Sequence, residues 1–282
     1  MIIRGQSFEW GKRTYIMGVL NVTPDSFSDG GQFNTIKSAT LQAQKMVEAG
    51  ADIIDIGGQS TRPGAPEITL EEELNRVIPV IEILRNSQNI CATVPISIDT
   101  TRAIVAQLAV EAGADIINDI SAATFDSEML STAAKLGVPI TLMHIRGTPQ
   151  TMQKLTDYQD LIGEIYQFLE SRIAAAIAAG INKYNIILDP GIGFAKTYSQ
   201  NLEILRKLVK FHYLGCPILV GVSRKSFIGH ILNQPDPQQR IWGTAAACTS
   251  AIASRADILR VHDVKEMRDV CQVADAIFRK EN

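Results

Sequence analysis

A (β/α)8 TIM barrel, an α/β fold, is the class this sequence predicts, and three observations predict it. Short apolar runs of strand length alternate with longer helix-patterned segments along the chain, the pattern of parallel strands joined by crossover helices. Eight such runs and eight helical segments occur in 282 residues, a count and length that match a barrel. A doubly wound sheet usually carries fewer strands. Finally, no Pro/Gly/Ser-rich linker, low-complexity tract or long charge run marks a boundary, so residues 1–282 read as one barrel domain.

The first apolar run is TYIMGVL at 14–20, followed by a long glycine- and hydroxyl-rich loop, NVTPDSFSDGGQF from Asn21, and a helix near 36–49. The second is DIIDI at 52–56, with another long loop, GGQSTRPGAPE from Gly57. Next comes a helix over 70–86, in which Leu70, Leu74, Val77, Ile78 and Ile81 recur at three and four, and Thr69 with Glu71 to Glu73 makes a capped acidic first turn. PISI at 95–98, DIIN at 115–118 and VPITLM at 138–143 are the next strands, separated by helices near 101–112 and 126–136. NIILD at 185–189, PILVG at 217–221 and DILRV at 257–261 complete the set, with helices near 157–179, 199–212, 238–254 and 263–280.

Two of these units open alike: EAGADIIDIG from Glu48 and EAGADIINDI from Glu111. Each closes a helix, stops it at Gly50 or Gly113, which can take positive φ, and enters a buried strand. The shared letters describe packing, and Asp52 and Asp115 are expected to serve stability at the closed end of the barrel. Where the copies diverge, one strand end carries Asp55 and the other Asn118.

With 46% hydrophobic residues the chain can bury a large core, and a net charge of −3 argues against a diffuse nucleic-acid surface. No apolar run reaches the roughly eighteen residues of a spanning helix, and MIIRGQSFEW lacks the order of a signal peptide, so a cytoplasmic protein with no membrane or nucleic-acid partner is expected. Cys91, Cys216, Cys248 and Cys271 fit neither a metal pair nor a disulfide framework and read as buried thiols.

Barrel enzymes carry their sites at the C-terminal ends of the strands. There this sequence places Asn21, Asp55, Asp99, Asn118, His144, Asp189, Arg224 with Lys225, and Arg260 with His262. Asp99, Asn118 and Asp189 offer acceptors and one amide that both donates and accepts, which suits a flat heterocycle with several N–H and C=O edges. Lys225, Arg260 and His262 form a cationic set after the last two strands, where barrels often hold phosphate. Ser60, Thr61 and Arg62 add donors for phosphate oxygens, or belong to a surface loop.

At these residues the chain resembles a known family. IMGVLNVTPDSFSDGG, GADIIDIGGQSTRPGA, SIDT, IND, LMHIRGTPQTMQ, ILDPGIGFAKT, GVSRKSFIG and RVHD are similar, in order, to the motifs of dihydropteroate synthases. The resemblance implies an enzyme of folate biosynthesis, a transferase and sulfonamide target that joins 6-hydroxymethyl-7,8-dihydropterin diphosphate to 4-aminobenzoate with release of diphosphate. It implies a pterin pocket of Asp99, Asn118, Met143, Asp189, Phe194 and Lys225, with Asp55 deeper in the barrel. The implied diphosphate site is Asn21, Thr61, Arg62, Arg260 and His262, with Mg²⁺ bridging the diphosphate and Asn21. The implied aminobenzoate site is Phe27, Ser60, Thr61, Arg62, Pro63, Phe194 and Ser226, with Ser226 and the N-terminus of its helix receiving the carboxylate, and the catalytic set is Asn21, Lys225, Arg260 and His262. A homodimer is implied as well.

The chain departs from the family's pattern at Gln59, where Glu is frequent, and at Ala195, where Gly is usual. His144 reads as structural, His212 and His230 as solvated, and Trp10 and Trp242 as packing anchors. Asp25 and Asp29 either reach metal or substrate or cap turns. Two other functions remain open on sequence: a folate-handling methyltransferase barrel, and a paralogue that binds pterin without turnover.

Overall fold

The computed structural model describes residues 1–23, 31–86 and 88–279, with backbone alone for 31–35. The chain opens with a short antiparallel hairpin of β1 (Ile2–Ile3) and β2 (Gln6–Ser7), which the sequence pattern had not suggested. All eight predicted runs are strands: β3 (Tyr15–Asn21), β4 (Ile53–Gly57), β5 (Ile96–Asp99), β6 (Ile116–Asp119), β7 (Ile140–Met143), β8 (Ile186–Asp189), β9 (Leu219–Val220) and β10 (Ile258–Val261). They pair in parallel in the order β8-β7-β6-β5-β4-β3-β10-β9, and a bridge between Leu188 and Ile218 closes the barrel.

Helices α1 (Gly31–Glu48), α2 (Leu70–Arg85), α3 (Ala103–Glu111), α4 (Met129–Leu136), α5 (Leu161–Ala178), α6 (Tyr198–Lys207), α8 (Ile241–Ala253) and α9 (Val264–Phe278) follow the eight strands as predicted. The segment predicted as one helix over 199–212 is α6 followed by a 3-10 stretch, Leu208–Leu214. An additional short helix, α7 (Ser226–Leu232), opens directly after Lys225. In α2 the buried stripe is Glu73, Val77, Val80, Ile81 and Leu84, whereas Leu70 stands exposed at the first turn.

Alternation along each strand divides the side chains into two sets. Ile16, Leu20, Ile54, Ile56, Ile96, Ile98, Ile117, Ile140, Leu142, Leu188 and Leu259 join the core under the helices. The other phase points into the barrel. Because tilted strands step the level by about one residue per strand, side chains at one height come from alternate strands. Following the register around β4, β6, β8 and β10 gives a tier of Ile53, Ile116, Ile187 and Ile258, and the count closes on itself. The next tier on the same strands is Asp55, Asn118, Asp189 and Arg260. Between the two lies a tier from the odd-numbered strands, Met17, Ser97, Thr141 and Leu219.

The isoleucine tier is sealed from below. Ile3 and Phe8 from the N-terminal hairpin pack with Tyr15, Met17, Leu219 and the four isoleucines, and Trp10 packs on Tyr15 at 5.3 Å between ring centroids. Trp10 is therefore the anchor expected, but Trp242 is 82% exposed on α8 and anchors nothing within the barrel.

Three aspartates brace this closed end in the same way. Asp52 accepts the Ile16 N–H at 2.8 Å, Asp115 that of Ile96 at 2.8 Å, and Asp257 that of Ile218 at 2.9 Å. Arg13 pairs with Asp52 at 2.7 Å, and Arg85 and Arg4 pair with Asp115. Gly50 and Gly113 have φ of +94° and +118°, as the repeated phrase required. Here the shared letters do structural work only.

Candidate active site

The polar tier at the open end is internally bonded. Arg260 donates from Nε to Asp55 at 2.6 Å and from Nη2 to Asp99 at 2.7 Å, and Asn118 Nδ2 lies 3.2 Å from Asp55. Asp55 is fully buried, and Asp99, Asn118 and Asp189 are nearly so. One guanidinium thus ties the acid-and-amide group to the cationic group, two sets that the sequence had shown only as separate. Asp189 accepts the Gly191 N–H at 2.7 Å and leaves its other oxygen without a recorded partner among the described residues.

Burial dominates the proton affinities. It pushes Asp99 up to about 7, against the pull of Arg260 and with the push of Asp55, Glu73 and Asp119. It pushes Asp189 up to about 6, offset in part by the Gly191 N–H and by Lys225. Lys225 is pushed down to about 8 by burial, against Asp189. For Arg260 burial opposes the charge, but Asp55 and Asp99 outweigh it and hold the guanidinium protonated. Burial thus raises two acids and lowers one base of the pocket toward neutrality, a pattern concentrated at functional sites.

The loop after β8 supplies the apolar wall. Met143 and Phe194 are buried together with Ile120, Ile145 and Met152, and Lys225 Nζ sits 4.3 Å from the centroid of the Phe194 ring. That loop needs its glycines: a Cβ on Gly191 (φ +73°) would lie 1.9 Å from the His144 carbonyl oxygen, and one on Gly193 (φ +84°) would lie 2.9 Å from the Lys225 side chain. Ala195 takes φ +50° where the family's usual Gly would do so without strain. Beneath the loop, Lys196 Nζ reaches His144 Nδ1 at 3.0 Å and the Phe194 carbonyl at 2.8 Å. Burial and Lys196 push His144 down to about 2, so it is a neutral core acceptor, packed edge-on against Phe168 at 4.9 Å.

His262 stands one tier nearer the mouth than Arg260. Its Nδ1 lies 3.0 Å from Ser223 Oγ, and burial, then Arg260 and Arg224, pushes it down to about 3. Arg224 is bound to Asp263 through Nε at 3.0 Å and takes φ +60°. Asn21 ends β3 in the inward phase, half-buried, and no partner for its amide is recorded among the described residues. Ser226 is exposed at the start of α7.

Ser60, Thr61, Arg62 and Pro63 form the rim loop after β4. It rests on the loop after β7, where Gly64 N–H donates to the Pro149 carbonyl at 3.1 Å. Between the two loops lies a cleft lined by Gln59, Thr61, Asp99, Ile120, Phe125 and Thr148 among others. Arg62 and Pro63 project to solvent. Phe27, Asp25 and Asp29 lie outside the described residues.

The sequence profile of the family described as pterin binding enzyme matches residues 17–262, most of the chain and every element of the site. This chain belongs to the pterin-binding enzyme family. Among its relatives is a dihydropteroate synthase of Synechocystis sp., 61% identical over 272 residues, which cover 96% of this chain and 93% of that one. A crystal structure of dihydropteroate synthase from Clostridium difficile in the presence of pteroic acid superposes with a TM-score of 0.91 at 45% identity, covering 97% of this chain and all of that one. One from Xanthomonas albilineans with 4-aminobenzoic acid gives 0.89 at 42% identity, covering 96% and 95%.

Some groups in this pterin-binding enzyme escaped the reading of strand ends. Glu73, on α2, is buried and accepts Thr100 Oγ1 at 2.7 Å and Arg102 Nη1 at 2.8 Å, tying the end of β5 to the base of the rim loop. Its signal was an acid on the buried stripe of an amphipathic helix. Ser223 and Lys196 sit inside motifs already singled out, one residue from groups that drew more notice. His212, read as solvated, has Nε2 buried with no partner recorded among the described residues.

Proposed function

We propose that this chain is a dihydropteroate synthase that condenses 6-hydroxymethyl-7,8-dihydropterin diphosphate with 4-aminobenzoate to give 7,8-dihydropteroate and diphosphate. The observation that carries the reading is the tier of Asp55, Asn118, Asp189 and Arg260, an acid, amide and cation group with a polar edge and an apolar wall at Met143 and Phe194. Asp189 would accept ring N–H groups, and Asn118 would donate to one ring atom and accept from another. Lys225, held against Phe194, would donate to a ring acceptor. A buried polar site of this kind rejects rings that lack the matching edges.

With the ring held there, the substituent points up the barrel to His262, Asn21 and the rim loop with Thr61 and Arg62. Carbon–oxygen cleavage leaves negative charge on the diphosphate, where the remaining Arg260 Nη1 donor and His262 stabilise it more than in the ground state. Positive charge left at the methylene spreads into the ring that Asp189 holds. The aminobenzoate nitrogen then attacks, and no protein nucleophile is required. Ser60, Pro63 and Ser226 would receive the aminobenzoate at the rim.

The donor set fits Mg²⁺ in a limited way: the Asn21 amide oxygen is free of recorded protein partners, and no cluster of three or more His, Cys, Asp or Glu ligands occurs among the described residues. The chain would thus offer the ion one neutral oxygen, that of Asn21. Bound there, the ion would neutralise charge on the leaving group.

The homodimer belongs to the same proposal. Ile231 and Leu232 on α7, Trp242 on α8, and Val273, Ile277 and Phe278 on α9 leave apolar surface on three successive helices. A sedimentation measurement reads the oligomer, and Trp242→Glu is expected to shift it to monomer. A cytoplasmic location accords with four buried, unpaired cysteines and with the absence, among the described residues, of any helix long and apolar enough to cross a membrane.

The deciding assay follows aminobenzoate incorporation and diphosphate release with and without Mg²⁺, with a sulfonamide as competitor. Turnover that requires both substrates and is inhibited competitively against aminobenzoate is expected. Tight pterin binding without turnover would overturn the synthase reading in favour of a pterin-binding protein.

A further inference from the structure

We propose that Ser223 is a positioning residue that fixes His262 as the Nε2–H tautomer, so that the ring presents a hydrogen-bond donor to a phosphate oxygen. The inference deepens the reading of the open end as a diphosphate site and rests on it. Ser223 follows β9 and is buried. Its Oγ accepts the backbone N–H of His262 at 3.2 Å and lies 3.0 Å from Nδ1 of the same residue.

A serine hydroxyl has one hydrogen to give and two lone pairs to receive with. One lone pair takes the His262 backbone N–H. Were the ring also protonated at Nδ1, both His262 donors would converge on one oxygen, and the buried hydroxyl hydrogen would need another acceptor. Among the described residues none is recorded for it. If the hydroxyl instead donates to Nδ1, every group in the cluster is satisfied. The ring proton then resides on Nε2, for which no protein partner is recorded among the described residues.

The tautomer matters because the ring is neutral. His262 is half-buried beside Arg260, Arg224 and Lys225, and desolvation with these three cations opposes an imidazolium more than Asp263 favours it. A neutral ring has two faces to offer an anion: an N–H that attracts a phosphate oxygen, or a lone pair that repels it. Ser223 selects the first by occupying Nδ1. It need not touch the substrate to do so, and a second-row partner of this type commonly sets which nitrogen of a histidine is available.

A hydrogen bond to a charged acceptor, lost outright, corresponds to roughly a tenfold to hundredfold weakening. The probe is inorganic diphosphate, and the protein is the full chain. Selective ¹⁵N-histidine labelling gives the protonation of each ring nitrogen by NMR, and His262→Gln identifies the His262 signals. The expected result is unprotonated Nδ1 and protonated Nε2 in the ligand-free protein, with diphosphate shifting the Nε2–H resonance. Ser223→Ala is expected to mix the tautomers and, by thinning the Nε2–H population, to raise the diphosphate Kd about twofold to fivefold, leaving pterin affinity unchanged. Ser223→Thr, which keeps the hydroxyl, is expected to restore the Nε2–H form.

An Nδ1–H tautomer in the unsubstituted protein overturns the inference. So does a Ser223→Ala protein whose tautomer and diphosphate Kd are unaltered. Should Ser223→Ala fail to fold, the unsubstituted protein and Ser223→Thr still decide the tautomer. A protein with the Nε2–H tautomer that binds diphosphate but makes no dihydropteroate would remove the synthase reading while leaving Ser223 its role.

Discussion

Replacing Asp189 by Asn should push stability and binding in opposite directions. The carboxyl is 6% exposed, and burial raises it from an ordinary 3.8 to about 6 even with the Gly191 N–H and the cations nearby. At about 1.4 kcal/mol per pH unit, holding it charged costs the folded protein about 3 kcal/mol. A group whose folded value is raised stabilises most below its unfolded value and loses that stability as pH rises through the folded one. Asp189→Asn, always neutral and able to accept the Gly191 N–H, should therefore match the unsubstituted protein below about pH 4 and exceed it by about 3 kcal/mol above pH 7. For a chain of this size that is a rise in Tm of about 6–12 °C. Pterin affinity should fall about a hundredfold or more, because an amide N–H would face ring N–H groups that a carboxylate accepts. Thermal unfolding at pH 4 and pH 8, with calorimetric titration of a pterin, checks both. A variant that is less stable at pH 8, or that binds pterin undiminished, would refute the reasoning.

Three further outcomes follow from the same geometry. Asp55→Ala leaves Arg260 with Asp99 alone and should cost about 3–5 kcal/mol by denaturant unfolding, together with pterin affinity by calorimetry. Asp115→Ala removes the acceptor of the Ile96 N–H and of Arg85 at the closed end, and should cost a similar amount, about 3–5 kcal/mol, while KM for both substrates stays as it was in steady-state assays. Chelation of divalent metal should suppress diphosphate release in the turnover assay and leave the calorimetric affinity for an uncharged pterin unchanged.

The strands were legible because each is an apolar run bounded by turn residues, and the parallel sheet buries both faces of every one. The repeated EAGADII gave away its helix stop and strand start, including the positive φ at Gly50 and Gly113. A third copy was hidden: Arg255 with Ala256 and Asp257 repeats the device with φ +69° at Arg255, but no glycine advertised it. The N-terminal hairpin escaped because two-residue strands carry no period. Helix α7 shows no period in its seven residues, and only the family resemblance implied a helix opening at Ser226. At the site, strand-end position named the residues but not their levels: Asp55, expected deeper than the pterin pocket, shares one tier with Asn118 and Asp189. It said nothing about who bonds whom, so the guanidinium of Arg260, assigned to an anion, was not foreseen between Asp55 and Asp99.

The plug of Ile3, Phe8 and Trp10 beneath the isoleucine tier turns the barrel into a well with a single mouth. On the proposed function, the heterocycle belongs at the bottom of that well, and the aminobenzoate belongs at its lip. Traffic through a blind shaft is last in, first out: the pterin has to arrive before its partner, and the joined product cannot leave past an occupied rim. Order of addition is thus written into the architecture, and a hole bored through the floor would be the way to scramble it.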